Sequence, residues 1–217
     1  MSLMDNKNII AKRAAAYFQP GDIVNLGIGI PGLCSNYAAE GVMFHTENGL
    51  VGVGALAEGL QKVESFCNAT AQEIIPVPGA SPVDTSMSFG IIRGGRLDAT
   101  VLGGLQVSES GDLANWATPG RAFGMGGAMD LCNGARKVIV AMELCTKDGK
   151  PKILKKCTFP LTGKACVDHI VTELCVIDVI PEGLKLVEIA PGRCPMEIQS
   201  MVEPKLIISD ELKEMEA

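Results

Sequence analysis

Short β-rich runs alternate along this chain with segments of helical character, and that alternation restricts the fold more than any other feature. Residues 23–28, 42–46, 73–77, 100–102, 137–142, 176–180 and 184–189 read as strands, most of them rich in Val and Ile. Between them, residues 31–40, 55–66, 164–174 and 195–203 read as helices. Residues 5–18 form an opening helix, stopped by Gln19-Pro20-Gly21, and Pro31 suits a first helical position. Residues 209–217 are polar and read as a solvated helix or frayed tail. The pattern predicts an α/β class with an open, largely parallel sheet flanked by helices. No Pro/Gly/Ser-rich linker divides the chain, so 1–217 is expected to be a single domain.

Composition narrows what such a domain can do. Apolar residues make up 47% and charged residues 20% of the 217 positions, with a mean hydropathy of +0.25. That supplies a large core and argues against disorder. The 19 basic and 25 acidic side chains leave a net charge of −6, so no electrostatic footprint for nucleic acid is present. No uninterrupted apolar run approaches the roughly 18 residues needed to span a membrane. The first residues, with Asp5 and Asn6, lack the apolar stretch of a signal peptide. A soluble, cytoplasmic protein with no membrane partner is therefore expected. The eight cysteines, at 34, 67, 132, 145, 157, 166, 175 and 194, contain no Cys-x-x-Cys pair. Most sit in apolar contexts and read as reduced core residues. Two histidines, His45 and His169, are too few for a His-rich metal site, and no metal is expected.

Glycine accounts for 25 residues and concentrates between 21 and 134. Three of its clusters bear on chemistry. Gly27-Ile28-Gly29-Ile30-Pro31-Gly32 is a literal G-x-G-x-x-G after a strand, with Glu47 twenty residues beyond Gly27, the spacing of a dinucleotide site. Pro31 stiffens that stretch, and a tight strand-to-helix turn accounts for it equally. Glu47 itself sits at a strand end before Asn48-Gly49, a sharp turn at the rim where α/β proteins bind ligands. A carboxylate there serves as a nucleophile if desolvated and positioned, or is a surface Glu beside a turn. The run 124–131, Gly-Met-Gly-Gly-Ala-Met-Asp-Leu, offers backbone N–H groups to a developing oxyanion, or is a crowded turn before a helix. The run 102–107 and the run 111–116 lie between these, the second ending in Trp116, the one Trp, which reads as a loop anchor.

Taken in series, NLGIGIP (25–31), ENG (47–49), PGA (78–80), RGG (93–95), LGGLQV (102–107), GDLANW (111–116), GMGGAMDL (124–131) and KCTFPLTG (156–163) resemble the β subunit of family I coenzyme A transferases of the 3-oxoacid and acetoacetate:butyrate/acetate type. The blocks stand in family order and cover about residues 20–195. The resemblance implies the CoA-transferase fold, an open α/β sheet shared with some sugar-phosphate isomerases. It implies a ping-pong transfer of CoA between a short-chain acyl-CoA (acetoacetyl-, butyryl- or acetyl-CoA) and a carboxylate, through a glutamyl-CoA thioester on Glu47. By the same resemblance Gly127 supplies an oxyanion-hole N–H and Asn25 lies beside the nucleophile. Asn48 and Gly49 complete the turn, and Gly103, Gly104, Gln106 and Gly126 lie near the substrate. No cofactor is implied, coenzyme A being a substrate. The implied partner is an α subunit, in an αβ or α2β2 assembly, without which this chain is expected to be inactive.

Two departures from the family pattern stand out: Thr46 where Ser is common before the glutamate, and Gly52-Val53-Gly54-Ala55 where Gly-Leu-Gly-Pro is usual. Neither removes a catalytic group. Three other readings stay open at this point. They are a nicotinamide-dependent oxidoreductase using 27–32, a non-catalytic supporting subunit, and an acyl-CoA hydrolase of the same family.

Overall fold

The computed structural model describes residues 3–56, 66–69 and 72–216. The chain opens with helix α1, Leu3–Ala15, whose Ile10, Ala11, Ala14 and Ala15 are buried. Lys12 and Arg13 fall in its last turn, where positive charge complements the helix dipole. Strand β1 (Ile23–Leu26), a 3-10 turn (Pro31–Asn36), β2 (Met43–Thr46), β3 (Leu50–Leu56) and β4 (Ile74–Pro82) follow. Helix α2 (Thr85–Arg93) then leads to β5 (Ala99–Leu102). A group of short strands comes next: β6 (Gln106–Ser108), β7 (Leu113–Ala114), β8 (Ala117–Thr118) and β9 (Arg121–Ala122). Helix α3 (Ala128–Gly134), β10 (Val138–Ala141), β11 (Ile153–Leu154), β12 (His169–Val171), β13 (Cys175–Ile180), β14 (Gly183–Ile189), α4 (Pro195–Ser200) and β15 (Leu206–Glu214) complete it.

One ten-stranded sheet organises the chain, in the order β15-β14-β13-β12-β10-β5-β1-β2-β3-β4. Its centre, β12-β10-β5-β1-β2, is parallel throughout. Antiparallel strands flank it on both sides, and β15 runs parallel to β14 at one edge. The central strands alternate between two apolar layers. Val138 and Val140 join Leu102, Leu131, Ile170 and Ile198 on the face of α2, α3 and α4. Ile139 and Ala141 join Ile10, Ala14, Val24 and Val101 on the face of α1. A sheet covered on both faces needs apolar side chains at every position, which is why these strands read as unbroken hydrophobic runs. No described helix is long and apolar enough to cross a membrane.

Four expectations from the sequence are corrected. Residues 164–174 are not helical and contain β12. Val167, Ile170 and Val171 are β-branched, and the Thr172 hydroxyl accepts from Leu174 and Cys175 N–H to turn the chain directly into β13. Residues 209–217 are not a helical or frayed tail, because β15 extends to Glu214. Its charges Asp210, Glu211 and Lys213 are those that edge strands carry against unwanted pairing. The helix at 31–40 is a six-residue 3-10 turn. The helix expected at 55–66 fails at its start, where residues 55 and 56 belong to β3; 57–65 lie outside the described residues. All eight cysteines are free, with Cys34, Cys132 and Cys175 buried and Cys194 exposed.

Ile170 is fully buried in central strand β12. Ile170→Ala should therefore destabilise the protein by about 2–5 kcal/mol. A lowered urea midpoint at unchanged m value would register the loss, and an unchanged midpoint would contradict this account of the core.

Candidate active site

Parallel strands β1, β5 and β2 end on the same side of the sheet, and open α/β sheets bind ligands beyond those carboxyl ends. Here the ends enclose a cleft of about 1210 Å3. The glycine turn after β1, Gly103-Gly104 after β5 and Glu47 after β2 all line it. So do Gly126 and Gly127, at the start of α3. Phe44, Val53, Leu102, Leu105, Phe123 and Leu131 supply apolar wall.

Glu47 is held on a braced hairpin turn between β2 and β3. Gly49 N–H donates to the Thr46 carbonyl at 3.0 Å. Gly49 has φ +123°, and a Cβ there would lie 2.2 Å from the Val83 carbonyl oxygen, so only glycine fits. The buried Thr46 hydroxyl donates to Asn48 Oδ1 at 2.8 Å and accepts from Ala69 N–H at 3.0 Å. Asn48 Nδ2 donates onward to the Cys67 carbonyl at 2.9 Å. Threonine in place of serine thus keeps both hydrogen bonds of the hydroxyl.

A polar line reaches Glu47 from the neighbouring strand. Asn25 and His45 are register partners on parallel strands β1 and β2, so their side chains share a face. They are only 1% and 2% exposed. Asn25 Nδ2 lies 3.2 Å from His45 Nδ1, 3.2 Å from the His45 carbonyl oxygen and 3.4 Å from Glu47 Oε2. His45 Nε2 lies 2.9 Å from the Ser88 hydroxyl on α2. Burial pushes the His45 pKa down to about 4, so the imidazole is neutral at pH 7. Asn25 Oδ1 and Thr100 Oγ1, on register partners of β1 and β5, are buried with no partner among the described residues.

The opposite wall comes from α3. Gly127 is its N-cap residue, with φ −83°. A Cβ at Gly127 would sit 3.2 Å from Glu47 Cγ and 3.4 Å from Phe89 Cζ. The helix start therefore lies so near Glu47 that a side chain at position 127 would crowd it.

Of the residues singled out in the sequence, the cleft brings together Glu47, Asn25, Gly103, Gly104, Gly126 and Gly127. Asn48 and Gly49 stand behind it as the turn that presents Glu47. Gln106 lies off the cleft: its Oε1 accepts from Thr158 and Phe159 N–H at 2.8 and 3.1 Å, and its Nε2 donates to the Thr158 hydroxyl at 2.9 Å. Trp116 donates its indole N–H to the Leu161 carbonyl at 3.2 Å, consistent with a loop anchor. Turn 27–32 runs into a 3-10 segment of six residues, not an α-helix long enough to aim its dipole at a pyrophosphate. Ser88 escaped notice in the sequence, although Asp84 carried the signal. Asp84 caps α2 by accepting from Met87 N–H at 2.8 Å, and a helix from residue 85 would have brought Ser88 into view.

The coenzyme A transferase family model matches residues 7–200. The chain is 46% identical over 212 residues to the acetate CoA-transferase subunit beta of Escherichia coli (strain K12), covering 96% of this chain and 97% of that protein. It is 47% identical over 212 residues to the mitochondrial succinyl-CoA:3-ketoacid coenzyme A transferase 2B of Mus musculus. That match covers 95% of this chain and 41% of the mouse protein. Among solved structures, the acyl-CoA transferase YdiF apoenzyme from Escherichia coli O157:H7 shares the fold. Its TM-score is 0.79 at 23% identity, over 100% of this chain and 44% of that one. The chain thus spans less than half the length of these two longer proteins.

Buried neutral His45 makes stability depend on pH. Its folded pKa of about 4 lies below the ordinary 6.5, so the unfolded chain binds more protons between those values. Stability should be fully present above about 6.5 and fall as pH drops towards 4, by up to about 1.4 kcal/mol per pH unit from this group. Urea titrations from pH 7 to 4.5 on wild type and His45→Phe would measure it. The same slope in both proteins would refute the assignment to His45.

Proposed function

The chain belongs to the coenzyme A transferase family, and on that premise we propose that it transfers CoA between a short-chain acyl-CoA and a carboxylate, with Glu47 as the covalent nucleophile. The observation that carries the reading is the meeting of three groups at one point. These are the Glu47 carboxylate on its braced turn, the Asn25 amide N–H at 3.4 Å, and Gly127, where an added Cβ would lie 3.2 Å from Glu47 Cγ.

The chemistry follows from that arrangement. A Glu47 oxygen attacks the thioester carbonyl, and the resulting tetrahedral oxyanion draws on the N–H of Gly127. CoA leaves as thiolate, and Glu47 becomes an acyl–glutamyl anhydride. The thiolate then attacks the glutamyl carbonyl and expels the acyl carboxylate, leaving a glutamyl-CoA thioester. An incoming carboxylate runs the sequence backwards and departs with CoA. Both half-reactions conserve the thioester bond energy and use a single nucleophile. The Asn25 N–H, donating to Glu47 Oε2 at 3.4 Å, fixes the orientation of the attacking carboxylate.

Acetoacetyl, butyryl and acetyl groups suit the apolar wall of Phe44, Val53, Leu102, Leu105, Phe123 and Leu131. A relative of nearly the same length is named a subunit beta, and a longer one carries this region in 41% of its length. Both facts support an α subunit as partner, in an αβ or α2β2 assembly that completes the site. The eight free thiols accord with action in a reducing cytoplasm.

With the α subunit present, initial rates measured while both substrates vary should give parallel double-reciprocal lines. Glu47→Gln should lower kcat by about 10^4-fold or more. Intersecting lines, or a variant retaining substantial activity, would contradict the covalent route. Gly127→Ala should fold normally, since φ −83° suits alanine. Its methyl group presses on Glu47, however, and kcat should fall by about 10²-fold. Wild-type kcat in a folded Gly127→Ala would separate Gly127 from the reacting centre.

A further inference from the structure

We propose that His45 and Ser88 form a positioning relay that aims the Asn25 amide at the Glu47 carboxylate, a role that rests on reading Glu47 as the nucleophile. Neither residue lies in the blocks that mark the family in this sequence, and neither was singled out as a site residue there. Both are buried, His45 at 2% and Ser88 at 0% exposure, and both sit in an unbroken chain of polar contacts that ends on Glu47.

The direction of that chain follows from which groups can donate. An amide nitrogen only donates. Asn25 Nδ2, 3.2 Å from His45 Nδ1, therefore requires Nδ1 to be the bare, accepting nitrogen. A neutral imidazole then carries its proton on Nε2, which donates to the Ser88 hydroxyl at 2.9 Å. Turning the Asn25 amide over would set Oδ1 against the His45 carbonyl and the Glu47 carboxylate, acceptor against acceptor at 3.2 and 3.4 Å. The other imidazole tautomer would set Nδ1–H against the amide N–H and push it off Glu47. The Asn25 amide sets the tautomer that leaves Nδ1 bare, and the Ser88 hydroxyl, able to accept or donate, satisfies the buried Nε2–H of that tautomer and holds the ring in place.

Helix α2 fixes Ser88 in turn. Asp84 caps the helix, and Ser88 N–H donates to the Asp84 carbonyl at 2.9 Å. The next residue, Phe89, reaches the same corner, its Cζ lying 3.4 Å from where a Gly127 Cβ would be. One helix thus supports both sides of Glu47: Ser88 acts through His45 and Asn25, and Phe89 backs Gly127. His45 and Ser88 are positioning residues, since neither is placed to touch the reacting atoms.

The test combines a spectroscopic and a kinetic readout. Nitrogen-15 NMR of the full chain at pH 7, with His169→Gln assigning the two histidines, should find His45 neutral with Nε2 protonated and Nδ1 bare. Ser88→Ala should shift the Nε2 resonance, because the Nε2–H loses its acceptor. In single turnovers with the α subunit and acetoacetyl-CoA, His45→Phe keeps the ring's bulk and removes both nitrogens. It should load CoA onto the chain about 10- to 100-fold more slowly, with KM for the acyl-CoA within about twofold of wild type. His45→Asn, which can return an acceptor near the Nδ1 position, should recover most of that rate. If His45→Phe does not fold, Ser88→Ala carries the kinetic test, with a smaller loss in the same direction. An Nδ1–H tautomer in wild type, or loading at the wild-type rate in folded His45→Phe, would overturn the relay while leaving Glu47 in place. No CoA loading in wild type would instead overturn the nucleophile assignment, and the relay with it.

Discussion

The site depends first on a backbone constraint, the hairpin turn at Thr46–Gly49. Its geometry admits only glycine at position 49, because any Cβ there would collide with the Val83 carbonyl oxygen. The turn stands where the sheet changes character: β2 is parallel to β1 on one side and antiparallel to β3 on the other. A parallel neighbour brings the loops after β1 and β5 to the same edge. An antiparallel neighbour allows a tight reversal there, in place of the long crossover that a parallel pair needs. The carboxylate is thus carried by a rigid two-stranded corner, which holds a reacting group more closely than a free loop does.

Around that corner the protein buries polar groups in a sheet that is otherwise packed on both faces. Asn25, His45, Thr46, Ser88 and Thr100 are all buried, and Asn25 Oδ1 and Thr100 Oγ1 lack partners among the described residues. An unsatisfied buried polar atom costs about 1–3 kcal/mol. The surrounding apolar layers, with Ile139, Ile170 and Ile177 fully buried, offset such costs. Local rules of stability are relaxed where chemistry needs directed donors. Their concentration at the carboxyl ends of β1, β2 and β5 agrees with the cleft as the working part of the molecule.

The parallel centre was legible through the alternation of β-rich runs, such as those at 23–28, 100–102 and 137–142, with segments of helical character. The turn at Glu47 was legible through Asn48-Gly49, and the glycines at 103–104 and 126–127 marked where backbone approaches the cleft. Elements governed by tertiary pairing were harder to read. Strand β15 is polar because it is an edge, and β12 is only three residues long within a stretch whose mixed composition imitates a helix. Gln106 stood inside a block near the substrate, yet its amide is consumed by the loop at Thr158 and Phe159. Sequence proximity to a glycine pair could not distinguish those uses. His45 on β2 and Ser88 on α2 are 43 positions apart, and only the tertiary fold brings them together.

Covalent capture of CoA by Glu47 is the central claim, and an intact-mass spectrum tests it most directly. This chain, purified with its α subunit and incubated with acetoacetyl-CoA, should gain the mass of CoA less one water. Peptide mapping should locate that adduct at Glu47, and hydroxylamine should remove it. A chain that stays at its unmodified mass while the assembly turns over, or an adduct that persists in Glu47→Ala, would contradict the account.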